Sequence, residues 1–259
     1  MKAITDRRRR RYSQYLTGRG LEIGALGNPM PLPYANDVVY SDILRPEQVD
    51  EMYPGSRHPD ILSDSERFEA IANGTFDFVV ANHVLEHVTD PIGALAEWHR
   101  ILKPDGLLLL SLPDKRYTFD HRRSRTPLAH LEADHRSSAD PQVRNECHLL
   151  EWAEHVERLT PGSAAFDDWV SDQRRKGFAV HNHVWVLQDL IDLLEHLRDR
   201  YGIAFQLVRW SNTSVLGNEF NLLLRKAGSD WRWRVAKIAA IASHPMHELI
   251  SRLRRVNRW

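Results

Sequence analysis

A glutamate two residues ahead of a glycine, Glu22-Ile23-Gly24, closes the first short strand pattern of the chain. Glycine lets a backbone approach a ligand closely. A carboxylate beside it suits a cationic, amino-acid-like ligand. A pyrophosphate would instead want G-x-G-x-x-G running into a helix N-terminus. That spacing is absent: after Gly24-Ala25 the next glycine is Gly27, followed by Asn28-Pro29. A second concentration of chemistry lies further on. Residues 115–183 hold seven of the fourteen histidines, about twice their share of the chain. Histidine is the usual general base, because its unperturbed pKa lies near ~6.5. His181 and His183 stand just ahead of a returning helix, which predicts a place near the cleft, with Asp114 or Asp120 as the orienting partner. The alternative is a polar segment whose histidines, His121, His130 and His135 among them, cap helices or face solvent. Asp120-His121 with Asp134-His135 offers oxygen and nitrogen ligands. No spacing is diagnostic in the manner of H-E-x-x-H, so the expectation is no metal. Lys115, Arg116, Arg122, Arg123 and Arg125 make a basic stretch that suits a phosphate or carboxylate, or forms a solvated face.

These residues need elements to hold them. Residues 20–24, 37–42, 59–64, 76–82 and 107–112 read as strands, the fourth and fifth as apolar runs buried on both faces. Pro91 to Leu102 reads as a helix, with Asp90 as N-cap, Pro91 at its first position, and Ile92, Leu95, Ala96, His99 and Leu102 on one face. Lys103-Pro104-Asp105-Gly106 makes a turn. Residues 114–180 read as an inserted, partly helical lid. Trp185 to Tyr201 is a helix with Leu187, Leu190, Ile191, Leu194 and Leu197 on one face, and residues 204–210 and 219–225 follow as strands. Strands alternating with helices imply right-handed crossovers and a doubly wound, mostly parallel α/β sheet. The division expected is a domain over 1–230, with the lid at about 114–180, and a basic amphipathic helical tail over 231–259.

Residues 18–113 resemble the class I S-adenosylmethionine-dependent methyltransferases, of the type 11-like, Rossmann-like kind. Glu22-x-Gly24 is similar to that family's first motif, departing from it at Gly27-Asn28-Pro29. Asp42 is similar to the acid that holds ribose hydroxyls, and Asp64 to the acid near adenine. Asp77 to Val88 resembles the fourth-strand motif, and Leu102 to Leu107 the turn ahead of strand five. The resemblance implies S-adenosylmethionine as cofactor, held by Glu22, Gly24, Ala25, Gly27, Asp42 and Asp64, with Asn82 and His83 beside the methionine part. His87 reads as structural, on a helix after strand four. A narrower resemblance rests on Arg19 to Pro29, Pro113 to Asp120 and His181 to Trp185. It is to a bacterial branch associated with glycosyltransferases and surface-polysaccharide assembly. It implies O-methylation of a saccharide or glycan-related hydroxyl. The alternatives are O-, N- or C-methylation of another small metabolite, or a non-catalytic cofactor-binding subunit of a glycan-assembly complex.

Composition sets the remaining bounds. The chain has 259 residues and zero formal net charge, which gives no global argument for nucleic acid. Residues 1–11 and 230–259 each carry +5. The Arg7 to Arg11 run lacks interleaved aromatics and reads as a solvated helix start. The tail combines Trp231, Trp233 and Trp259 with cations, which suits a membrane surface, the domain itself, or a second copy in a homodimer. With the single cysteine Cys147, no signal-peptide pattern and no long apolar run, a cytoplasmic protein is expected.

Overall fold

The structure, a computed structural model, describes residues 9–25, 27–32, 37–138, 141–177, 179–213 and 217–228. Seven strands form one sheet: β1 (Arg19–Ile23), β2 (Asp37–Asp42), β3 (Ile61–Leu62), β4 (Phe76–Asn82), β5 (Leu102–Pro113), β6 (Ala204–Ser211) and β7 (Glu219–Ala227). Their order is β3-β2-β1-β4-β5-β7-β6. The first five are parallel; β7 runs antiparallel to both neighbours. The helices include α1 (Pro46–Met52), α2 (Pro91–Ile101), α3 (Leu128–Arg136), α4 (Pro141–His155), α5 (Ala164–Lys176) and α6 (Leu187–Tyr201), with 3-10 turns at Lys115–Tyr117 and Phe119–Arg122, and residues 9–13 are helical as well. This is the doubly wound Rossmann-like architecture the alternation predicts. Among the described residues no helix is long and apolar enough to cross a membrane. The expected tail, 231–259, lies outside the described residues.

Strand alternation divides the core between the two faces of the sheet. Val79 and Ala81, with Leu108 and Leu110 of β5 and Leu222 and Leu224 of β7, face α2 and α6. Their neighbours Phe78, Val80, Leu109 and Leu223 face Tyr12, Leu16 and Met30 from the N-terminal quarter. Gly20 is glycine because β1 passes over Phe78: a Cβ there would lie 2.0 Å from the ring. A third cluster stands apart from the sheet, where Leu149, Trp152 and Ala153 of α4 meet Phe166 and Val170 of α5. The segment 114–180 therefore carries a small core of its own.

Helix α2 starts where expected: the Asp90 side chain accepts the Gly93 N–H at 2.8 Å, with Pro91 first in the helix. Its buried face matches the expected one at Ile92, Leu95 and Leu102 and departs from it elsewhere. Ile92, Leu95, Trp98 and Ile101 are fully buried, whereas Ala96 and His99 are half-exposed. Trp98 turns inward because its indole N–H finds the Ser65 carbonyl at 2.9 Å, so a large ring is buried without an orphan donor. The turn expected at 103–106 sits inside β5 as a bulge: Leu102 pairs with Phe76 and Leu107 with Phe78, and Asp105 takes φ +61°. Residues 84–88 form a turn, not the expected helix, so His87 sits on a loop. Asn182 and His183 fix that turn by donating their backbone N–H groups to the Glu86 carbonyl, at 2.7 and 3.1 Å.

Candidate functional site

In an open parallel sheet, ligands bind beyond the carboxyl ends of the strands where the chain reverses its winding. Here that place lies between β1 and β4. Gly24 follows β1 with φ +67° and donates its N–H to the Ser41 carbonyl at 2.8 Å. A Cβ there would meet Val84 Cγ2 at 2.9 Å, so both conformation and space require glycine. No described residue between Gly24 and Leu32 is helical. Pro29 and Pro31 lack the N–H groups a helix would use. The chain folds back instead, and the Met30 N–H donates to Glu22 Oε1 at 2.7 Å. Glu22 is 1% exposed, and its Oε2 has no hydrogen-bond partner. Burial pushes its carboxyl up to about 7, against the pull of the Met30 N–H and of Arg9.

A cleft opens beside this loop, lined by Ala25, Pro29, Tyr40, Asp42, Arg57 and Pro59. Asp42 is buried and accepts the Leu44 N–H at 3.0 Å; burial raises its carboxyl. The Arg57 guanidinium lies 4.6 Å from the Tyr40 ring centroid. Asn82 reaches towards the Met30 sulfur at 4.0 Å, and its Oδ1 is buried without a partner. The orphan oxygens of Glu22 and Asn82 fit a ligand that brings cationic or N–H donors, as the amino-acid part of S-adenosylmethionine does. Gly27 packs near Tyr53. Asp64 stands outside the cleft lining: it is exposed and caps its own turn by accepting the Glu66 and Arg67 N–H groups.

His83 ends β4 with φ +56°, a left-handed conformation that costs a non-glycine residue about 1–2 kcal/mol. Its N–H bonds the Ser111 carbonyl at 2.8 Å, and its Nε2 lies 2.8 Å from Glu219 Oε2. Its Nδ1 is 3.5 Å from Glu86. Burial disfavours the imidazolium, but the Glu219 hydrogen bond and the two carboxylates outweigh it and raise the His83 pKa. Glu219 also accepts Arg9 at 3.0 Å, and Arg9 is buried. At this arginine the expectation of a solvated N-terminal run fails: a long-range carboxylate draws it inside. Sequence reading missed Arg9, Glu219 and Met30 as site residues. It quoted Glu86, within the fourth-strand motif, without a role.

Residues 181–183 run over the turn that follows His83, with Asn182 Nδ2 donating to the His87 carbonyl at 2.7 Å. His181 Nδ1 lies 2.7 Å from Asp120 Oδ2, and its ring stands edge-on to His87 at 4.8 Å. Burial works against the Asp120 anion, yet His181 and Arg123 hold its pKa below the usual range. Asp114 is spent elsewhere, on Arg116 at 2.7 Å and the Thr213 hydroxyl at 2.9 Å. His183 is fully buried and turns away from both acids, towards His130, His148 and Asp134. Burial and these neighbours depress His183 strongly; burial pushes His148 down to about 4. The basic stretch is largely consumed internally, with Arg116 on Asp114, Arg123 buried on Asp120 and Glu151, and Arg125 on Asp189.

Among the described residues two groups could hold a metal ion: His130, Asp134, His148 and His183, and the trio Glu86, His87 and His181. Neither is the combination of Asp120-His121 with Asp134-His135, of which only Asp134 belongs to a group. His121 faces the Thr118 carbonyl and His135 the Asp90 carboxylate, at 3.2 and 2.9 Å.

The sequence over residues 18–156 matches the model of a family described as a methyltransferase domain. The chain belongs to this methyltransferase family. It is an S-adenosylmethionine-dependent methyltransferase of class I. No curated protein matches its sequence. Among solved structures, a putative Zn-dependent alcohol dehydrogenase from Rhodobacter sphaeroides is similar in fold, with TM-score 0.51 and 14% identity over 82% of this chain and 86% of that one. A possible histamine N-methyltransferase from Thermotoga maritima gives TM-score 0.48 and 16% identity over 86% and 88%. Phosphoethanolamine N-methyltransferase 1 from Haemonchus contortus, in complex with phosphoethanolamine and S-adenosylhomocysteine, gives 0.49 and 15% over 96% of this chain. The methyltransferase spans only 46% of that last chain.

Proposed function

We propose that this methyltransferase moves the methyl group of S-adenosylmethionine to a hydroxyl of a saccharide or glycan-related acceptor. The observation that carries the reading is the Asp120–His181 pair at 2.7 Å, on a segment docked against the turn that follows Asn82-His83. When bound, the cofactor supplies an electrophilic methyl on a sulfonium. Glu22 takes the ammonium of its methionine part, Gly24, Ala25 and Gly27 let the backbone come close, and Asp42 accepts the ribose hydroxyls. Asn82 and His83 flank the methionine end. A sugar hydroxyl is a weak nucleophile near neutral pH, so a positioned base helps by about 10²–10⁴-fold. A hydrogen bond from Nδ1–H to Asp120 fixes the His181 tautomer and leaves Nε2 to receive a proton. With the cofactor bound as methyl donor, His181 Nε2 would receive the proton that the acceptor hydroxyl gives up.

Phe119 supports a sugar-like acceptor. Its ring is 48% exposed beside His181, at 4.9 Å between centroids, and offers a flat apolar surface of the kind a pyranose face can cover. His181→Ala and Asp120→Asn are expected to lower turnover by at least tenfold while leaving cofactor affinity unchanged. Unchanged turnover in both variants would remove the base from this scheme. Mass spectrometry of glycans from cells with and without the gene tests the acceptor, through a mass loss of one methyl group.

A further inference from the structure

The cluster His130, Asp134, His148 and His183 lies apart from the cofactor cleft and takes no part in the reaction proposed above. We propose that these four residues bind a divalent transition-metal ion, zinc before others, as a closed structural site that fastens the helical insertion to the sheet. His130 and Asp134 are four residues apart on α3 and so share a face. His148 comes from α4, and His183 from the segment that returns the chain to the sheet. One ligand atom from each residue lies within 4.8 Å of every other. His130 Nε2 is 3.1 Å and His183 Nε2 3.9 Å from Asp134 Oδ2. Zinc–ligand bonds of about 2.0–2.1 Å in a tetrahedron set donors roughly 3.3 Å apart. Small side-chain movements therefore suffice to close the site.

The polar atoms of the cluster need a cation. His183 is fully buried, and its Nε2 faces Asp134 Oδ2 at 3.9 Å without a hydrogen bond. His130 Nε2 and Asp134 Oδ2 are buried against each other at 3.1 Å. A buried polar atom left without a partner is costly, and one ligand atom from each of the four residues converges here. A neutral imidazole carries only one N–H, so three rings facing each other and a single carboxylate cannot satisfy one another. An ion accepts a lone pair from each. Three nitrogens and one oxygen suit zinc and its first-row neighbours; calcium and magnesium want oxygen alone. The orientation is already set from outside, since the Trp185 ring stacks on His183 at 5.6 Å and 19°. Four protein ligands leave no open position, which is the mark of a structural site. The ion would hold α3 and α4 to the strand of chain that carries His181.

The test uses the full chain without a histidine tag, purified from zinc-replete cells without chelator. Elemental analysis should find about one zinc per chain, as a four-ligand site requires. Cobalt(II) exchanged into the site should give the intense visible bands of tetrahedral coordination. Asp134→Asn and His148→Ala should lose the metal, while His148→Cys and Glu86→Gln keep it. Chelation should lower the melting temperature, and added zinc should restore it. Absence of metal in folded wild-type protein, before and after zinc titration, overturns the proposal. So does metal that persists in Asp134→Asn and His148→Ala but leaves in Glu86→Gln, which would move the ion to the other trio. If His148→Ala does not fold, Asp134→Asn with the cobalt spectrum of the wild type decides: an octahedral spectrum or undiminished binding rejects the site.

Discussion

The Met30 N–H donates to one oxygen of Glu22 and leaves the other, Oε2, buried without a partner. This carboxyl is protonated up to about pH 7, because burial disfavours its anion. A cationic ligand beside it favours the anion. Cofactor binding should therefore release a proton below pH 7, and affinity should rise about tenfold per pH unit up to that point, then level off. Calorimetry in buffers of different ionisation enthalpy checks the proton, and Glu22→Gln should abolish the slope.

The same shift acts on stability with a definite sign. Below about 4.5 both folded and unfolded chains hold the proton; between 4.5 and about 7 only the folded chain does. Stability contributed by Glu22 is thus lost as pH rises through this window, by about 3 kcal/mol in all. Denaturation of the wild type against Glu22→Gln at pH 5 and pH 8 should show the wild type losing its relative advantage at pH 8.

Gly24→Ala should weaken the cofactor more than the fold. The left-handed conformation costs alanine about 1–2 kcal/mol. The contact with Val84 Cγ2 at 2.9 Å forces the loop aside. A titration with S-adenosylhomocysteine should show at least tenfold weaker binding, while the melting temperature falls by only a few degrees.

Glu219→Gln removes the carboxylate shared by Arg9 and His83. Breaking a buried pair costs about 3–5 kcal/mol, because the remaining charge stays buried. At about 2–4 °C per kcal/mol for a chain of this size, the melting temperature should drop by roughly 6 °C or more. Adding Arg9→Met should recover part of the loss, and an additive loss would separate the two residues.

Trp98→Ala should cost about 3–5 kcal/mol, the range for a buried aromatic, whereas Ala96→Ser should stay within about 0.5 kcal/mol. Urea denaturation of both tests which face of α2 is inside.

Local signals in the sequence reached as far as local physics does. Strands β2 and β4 coincide with their apolar runs, and Asp90-Pro91 marks the start of α2, since each depends on neighbours a few residues away. Trp98 falls outside the face of α2 that periodicity marks, because its indole is drawn in by Ser65, which periodicity along the helix does not reveal. His181 was singled out by its position ahead of α6, but its choice of Asp120 over Asp114 depends on how residues 181–183 dock on Glu86. Asp134 and His135 read together as a ligand pair in the sequence. Adjacent helical residues point in different directions, so Asp134 joins His130 and His135 goes to Asp90. The Arg9–Glu219 contact, between residues 210 apart, leaves no trace in any sequence window.

The reversed direction of β7 sets a timetable for the newborn protein. Because β7 runs against β5, its first residue, Glu219, is the one that arrives beside His83. Strands β1 to β5 can pair as they emerge, whereas β6, hydrogen-bonded to β7 alone, has no sheet to join until β7 is made. At about 5–20 residues per second, Arg9 waits roughly 10–40 s for the carboxylate that buries it. For about the second half of that interval, once β5 has been made, the nascent chain carries an uncovered β5 edge as well as an unneutralised arginine.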